Sequence, residues 1–203
     1  MKKPSNRPSI AILFLICVTV AQAEDWIKDA ATGCSIWNPN PSAHETIVWR
    51  GTIKEGKANG YGIAVWRIRG QDTERAEGQW QEGRLHGYAV WSHANGSGYE
   101  GQWQRGTKSG YGIYTWPDGI SFLGEYQNDR RGNGRTMKAD GTPQKSVITT
   151  LTRSLVYQAQ DAAIQARKAS TRARVENLHP TKTTSARPSP KTAPAPVADP
   201  SNK

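Results

Sequence analysis

A block of glycine and aromatic residues recurs along the middle of this chain, and its spacing constrains the fold more than any local propensity does. Gly51, Gly78, Gly101 and Gly124 hold the same place in successive blocks, 27, 23 and 23 residues apart. The text around them repeats as well: WRGTIKEGKANGYGIAVW, AEGQWQEGRLHGYAVW, YEGQWQRGTKSGYGIYTWPDG and FLGEYQNDRRGNGRTMKADG. A fixed period of this size means a repeat architecture, in which each unit buries its apolar face only against its neighbours. Such stacks serve more often as surfaces for binding or assembly than as catalytic pockets.

The fullest copy runs from Tyr99 to Gly119. Tyr99, Gly101 and Trp103 alternate with Glu100 and Gln102, the period-two pattern of a strand. Gln104 to Ser109 reads as a turn, Tyr111 to Trp116 as a second strand, and Pro117-Asp118-Gly119 as the turn to the next unit. One repeat is therefore one β-hairpin. Alternation places Tyr99, Gly101 and Trp103 on the same side as Gly110, Gly112, Tyr114 and Trp116, so rings are expected to lie over glycines, where no Cβ obstructs them. Trp80, Trp103 and Tyr126 share one ring position, at which the first copy has Ile53. Gln102, on the opposite pleat, is expected to tolerate substitution. The fourth copy ends in Thr136, Met137 and Lys138 and reads as a polar cap.

These blocks resemble MORN repeats, whose pattern is Tyr-x-Gly-x-Trp, a short turn with glycine, Gly-x-Gly, an aromatic pair and Pro-Asp-Gly. The resemblance covers residues 47 to about 142. It implies a mostly β protein: an elongated single antiparallel sheet of successive hairpins over 47–142, the fourth copy degenerate. It implies no activity, because MORN modules occur in lipid-associated proteins, in scaffolds and in enzymes that carry a separate catalytic domain.

The amino end reads as a secretory leader over residues 1–23. Lys2, Lys3 and Arg7 precede an apolar run from Ile10 to Val20, and Ala21-Gln22-Ala23 is a small-x-small cleavage site. The run is short for a membrane span. Cleavage before Cys17, as in a lipoprotein, would need a small residue where Ile16 stands. The expected destination is the periplasm or the exterior. Beyond the leader, in the lead-in segment 24–46, the one remaining cysteine is Cys34. GCSIWNPNP followed by TIVWRG resembles the lead-in of exported bacterial MORN proteins, in which a second cysteine stands at the position of Ile53. That resemblance leaves Cys34 either paired between chains or, the favoured reading, a buried free thiol.

Charge is uneven, at −3 for residues 24–48, +3 for 49–141 and +7 for 142–203. Residues 146–178 read as one helix with a narrow stripe of Ile148, Leu151, Leu155, Ala159, Ala162, Ala166, Ala169 and Ala173. Arg167, Lys168, Arg172 and Arg174 are placed to complement the helix dipole. The plain expectation is a helix held by Leu151 and Leu155 on the end of the sheet and frayed beyond. Residues 179–203, rich in Pro, Ala, Thr, Ser and Lys, read as a disordered basic tail.

The sequence carries no recognisable catalytic, cofactor or metal motif. His44, His86, His93 and His179 sit in no metal-binding setting, and no nucleophile elbow or phosphate loop appears. Glu77, Glu100 and Glu125 recur beside the repeat glycines and read as a solvated strand face. More informative is the pleat opposite the glycines, where Tyr61, Tyr88 and Tyr111 form one ladder and Ile63, Val90 and Ile113 another. This stripe is either cross-strand packing, or a face covered by the 146–178 helix, or a contact surface for a partner. The expectation is a non-enzymatic binding or scaffold protein of the bacterial cell envelope, working through an envelope protein or itself. The alternative is a module for anionic lipid or wall glycan; export and the mild charge of the repeats argue against nucleic acid.

Overall fold

The computed structural model describes residues 25–144 and 150–178, with side chains from residue 153 onward in the second stretch. Ten strands form one open sheet, and one helix follows. The strands are β1 (Trp26–Lys28), β2 (Ser35–Trp37), β3 (Glu45–Lys54), β4 (Lys57–Ile68), β5 (Gln71–Gln81), β6 (Arg84–His93), β7 (Gly98–Gln104), β8 (Thr107–Thr115), β9 (Ser121–Gln127) and β10 (Arg130–Met137); the helix is α1 (Thr150–Leu178). From β3 to β10 each strand pairs antiparallel with the next. The lead-in folds as its own small hairpin, β1–β2, and joins the sheet through one parallel pairing, Ser35 with Lys57. The leader, residues 146–149 of the expected helix and the tail 179–203 lie outside the described residues.

The hairpins are tighter than the sequence suggests. Where a six-residue turn is read from Gln104 to Ser109, Gln104 pairs directly with Thr107 around the two residues Arg105 and Gly106. Their φ angles are 51° and 89°, both in the left-handed region. Two successive positive φ values define the turn whose twist matches that of flanking strands, and glycine at the second place suits it. The Thr107–Gly110 stretch therefore belongs to β8, and its slack is taken up by a bulge between Gly101 and Trp103. The same shift follows Gly51 and Gly78.

Rings do lie over the glycines. Gly101 pairs with Gly112, and the Tyr99 ring lies across that pair: a methyl group at Gly112 would stand 2.5 Å from Tyr99 Cζ. Trp80 Nε1 donates to Gly62 O and Trp103 Nε1 to Ala89 O, both at 3.2 Å, so each indole is tied to the strand beside it. Edge-to-face contacts carry the stack along the face: Trp49–Trp80 at 5.2 Å between centroids, Tyr99–Trp103 at 5.2 Å, Tyr99–Tyr126 at 5.0 Å and Phe122–Tyr126 at 5.7 Å. The lead-in covers the early stretch of this face, bringing Cys34 and Ile36, both fully buried, into the same core.

The helix departs from the end-of-sheet expectation and takes the other place the sequence allowed, over the Tyr/Ile face. It does not sit on the end of the sheet but lies across the other face, touching every strand from β3 to β10. Its alanine half is not frayed: Ala159, Ala162, Ala163, Ala166, Ala169 and Ala173 are all buried. Small side chains let the helix axis approach the sheet closely enough for polar side chains to bond across the interface.

Candidate functional site

The two faces of the sheet differ in what remains accessible. On the helix face, the expected contact stripe is taken by the chain itself. Ile63 and Val65 pack on Ala173, with Tyr61 and Val48 beside them. Arg172 places its guanidinium 4.1 Å over the Tyr61 ring. Tyr88, Val90, Tyr111 and Ile113 are all partly buried, and Tyr88 and Tyr111 face Gln158, Asp161 and Ala162 of α1 across a hollow. An outside partner on this stripe would have to displace the helix.

The glutamates also separate. Glu77 and Glu100 share the cross-strand row of Ile63, Val90 and Ile113, whereas Glu125 pairs opposite Tyr111 in the other row. Glu77 is no solvated residue: it is 2% exposed. Its carboxylate accepts from Ser170 Oγ at 2.5 Å, from Arg174 Nε at 2.5 Å and from Arg75 Nε. Burial alone would raise its pKa, but these three hydrogen bonds and the Arg75 charge outweigh it and hold the group below its ordinary value. Glu100 meets Arg167 Nη2 at 2.6 Å. Arg167 and Arg174 thus reach sheet carboxylates, Arg172 pairs with Glu176 on the helix itself, and none stands in the last turn where the dipole would act on it.

Gln102, expected from the sequence to tolerate substitution, is a latch, and so is Gln79 at the equivalent place. Gln102 Oε1 accepts the backbone N–H of Tyr111 at 2.7 Å, inside the bulge, while its Nε2 donates to Tyr88 of the preceding copy at 3.3 Å. Gln79 does the same with the Tyr88 N–H at 2.7 Å and the Tyr61 hydroxyl at 3.1 Å. In the fourth copy Glu125 takes this place and accepts from the Tyr111 hydroxyl at 3.2 Å. The recurring Gly-Gln-Trp text held this signal; it becomes readable only once the bulge is known.

The other face is open beyond the lead-in. A groove of about 630 Å³ runs between the lead-in loop and the middle hairpins, floored by Trp66, Trp80 and Trp103 and walled by the half-buried Trp37 and Trp91. Trp91 is fixed by its Nε1, which donates to Glu74 Oε2 at 2.9 Å. Trp37 rests on the turn at Gly106, and Arg84 stacks 4.6 Å above its ring. Lys108 pairs with Asp129 at 2.8 Å beside the groove. A hollow of about 820 Å³ at the β9–β10 hairpin is larger, but its Glu125 is engaged by Tyr111 and by Asn133. Sequence reading assigned Trp80 and Trp103 a structural role only; it missed the groove because Trp37 and Asn38 come from the lead-in, which carries no repeat.

Among the described residues no cluster of His, Cys, Asp and Glu could hold a metal ion, and no helix is long and apolar enough to cross a membrane. Cys34 is a free, fully buried thiol whose pKa is pushed up to about 12, first by burial and then by the nearby Asp29 charge. No curated protein matches the chain. The repeat itself is recognised: the MORN repeat family model matches residues 49–70, 77–98 and 99–121, so three of the four hairpin copies in this sheet are MORN repeats.

Proposed function

We propose that this chain is a non-enzymatic binding or scaffold protein of the bacterial cell envelope, and that it takes its partner on the open aromatic face. One observation carries the reading: α1 covers the Tyr/Ile stripe, while the opposite face keeps a tryptophan-walled groove. Apolar pockets with a few fixed polar groups are the usual form of binding sites. The leader-like amino end supports an envelope setting, with cleavage near Ala23. Of the alternative ligands, a glycan suits this groove better than an anionic membrane, because its lining sets Glu45, Glu74 and Asp129 against only Arg84 and Lys108, and Lys108 is paired with Asp129.

The test is co-sedimentation of purified protein with a washed envelope fraction. Wild type and Arg174→Ala, altered on the helix face, should pellet alike, and Trp91→Ala should stay in the supernatant. Retention that ignores Trp91→Ala but falls in Arg174→Ala would overturn the reading and return the binding surface to the stripe.

A further inference from the structure

Three features of the groove bear on what it holds. The first is its rings. Trp91 is half-buried and locked in orientation by Glu74, and it lines the groove together with the buried indoles of Trp80 and Trp103. A fixed indole platform favours a ligand with a flat apolar face. The second is its open acceptors. Glu45 Oε2 accepts from Asn38 Nδ2 at 3.0 Å and from Ser42 N at 2.9 Å, and Glu74 Oε2 accepts from Trp91. Among the described residues the Oε1 atom of each has no protein donor, and neither does the side-chain amide of Asn40 have a partner. A carboxylate accepts up to four hydrogen bonds, so each still offers sites for hydroxyl donors. The third is its charge. Glu45, Glu74 and Asp129 stand against Arg84 and Lys108, and Asp129 and Lys108 already neutralise one another. The acceptors that remain open are negative and would repel an anionic polymer.

A flat apolar face ringed by hydroxyl donors and carrying no negative charge describes a pyranose chain. We propose that this groove is a saccharide site, taking an uncharged pyranose oligomer with one ring stacked on Trp91 and its hydroxyls donating to Glu74 and Glu45. The assignment rests on the reading that the aromatic face is the binding face. An acyl chain is excluded by the open, polar rim, and an anionic lipid or acidic polysaccharide by the free carboxylates.

The experiment titrates the purified chain with cellohexaose and with chitohexaose, read by intrinsic tryptophan fluorescence and by calorimetry. Heparin and phosphatidylglycerol vesicles serve as anionic arms. At least one neutral oligomer should bind saturably, with an affinity that does not change from low to high salt. Trp91→Ala should weaken it about tenfold, the usual scale for losing one stacking ring. Glu74→Gln, which keeps the side-chain shape, should weaken it as well, and Tyr157→Ala on the exposed side of α1 should not. Should Trp91→Ala unfold the chain, Glu74→Gln decides the matter alone. Binding only by heparin or vesicles, no binding by either neutral oligomer, or equal affinity in wild type and Glu74→Gln would overturn the saccharide assignment. If the saccharides fail while Trp91→Ala still abolishes retention on the envelope fraction, the ligand class is wrong and the binding face is right. If retention is indifferent to Trp91 too, both fall.

Discussion

At the scale of single residues, the glycine pairs and the latching glutamines carry more than their side chains advertise. Trp103→Ala removes a buried ring and its bond to Ala89 O, and should cost about 3–5 kcal/mol in a denaturant titration. Gly112→Ala adds a single methyl yet drives it into the Tyr99 ring, so a loss of about 1–3 kcal/mol is expected, and Tyr99→Leu in the same chain should recover some of it. Gln102→Ala leaves the Tyr111 N–H in the bulge without its acceptor, and about 1–3 kcal/mol is expected where the alternating pattern alone would forecast almost none. The ring-over-glycine arrangement was legible in the sequence because period-two alternation fixes which residues share a face. The latch was not legible, since a bulge changes which residues stand opposite one another without leaving a mark in the pattern. Cys34 offers a separate check: buried, with its thiol pKa pushed up to about 12, it should resist alkylation at neutral pH in the folded chain and react at once in denaturant.

At the scale of elements, the helix and the lead-in decide which face is free. The stripe along α1 was readable from its spacing, and the residues described in it, Leu155 to Ala173, are buried as that spacing predicts. Its position was one of several the sequence left open, because an alanine stripe specifies close approach without naming a surface, and the clasp that fixes it depends on residues far apart in sequence: Glu77 with Ser170 and Arg174. Glu77→Gln should loosen this clasp by about 1–3 kcal/mol. The sign of the pH dependence follows from the depressed pKa of Glu77. Its contribution is complete above the unfolded value, close to 4.5, and is lost as pH falls through the lower folded value. In acid unfolding monitored by circular dichroism the wild type should therefore lose stability as pH falls below about 4.5, and the Glu77→Gln chain should lose less over the same interval. An identical acid limb in both chains would show that other carboxylates, Asp29 among them, govern the transition.

At the scale of the whole molecule, repeat arrays without a brace are held only by contacts between adjacent units, and they melt unit by unit from their ends. Here one helix crosses eight strands in succession, from β3 to β10. A chain cut before Thr150 should unfold over a broader range than the full protein, with hydrogen exchange rising first in β10, and should bind a hydrophobic dye through the uncovered Tyr/Ile row. The repeat, its strand count per unit and its mostly β class were legible because every copy restates them. The groove was not, because it lies between the repeats and a segment outside them. The proposed export predicts a mature chain that begins at Glu24 by mass spectrometry, and a lipid-modified Cys17 would overturn it in favour of an anchored form.

The crossing of α1 over the strands also sets how the protein answers to force. A load applied at the carboxyl end of the helix acts first on its last turns, which are held by the Arg172–Tyr61, Arg174–Glu77 and Ala173 contacts on β4 and β5. Loss of those contacts would uncover the tyrosine ladder and leave the groove on the far side intact, because the groove shares no residue with the helix.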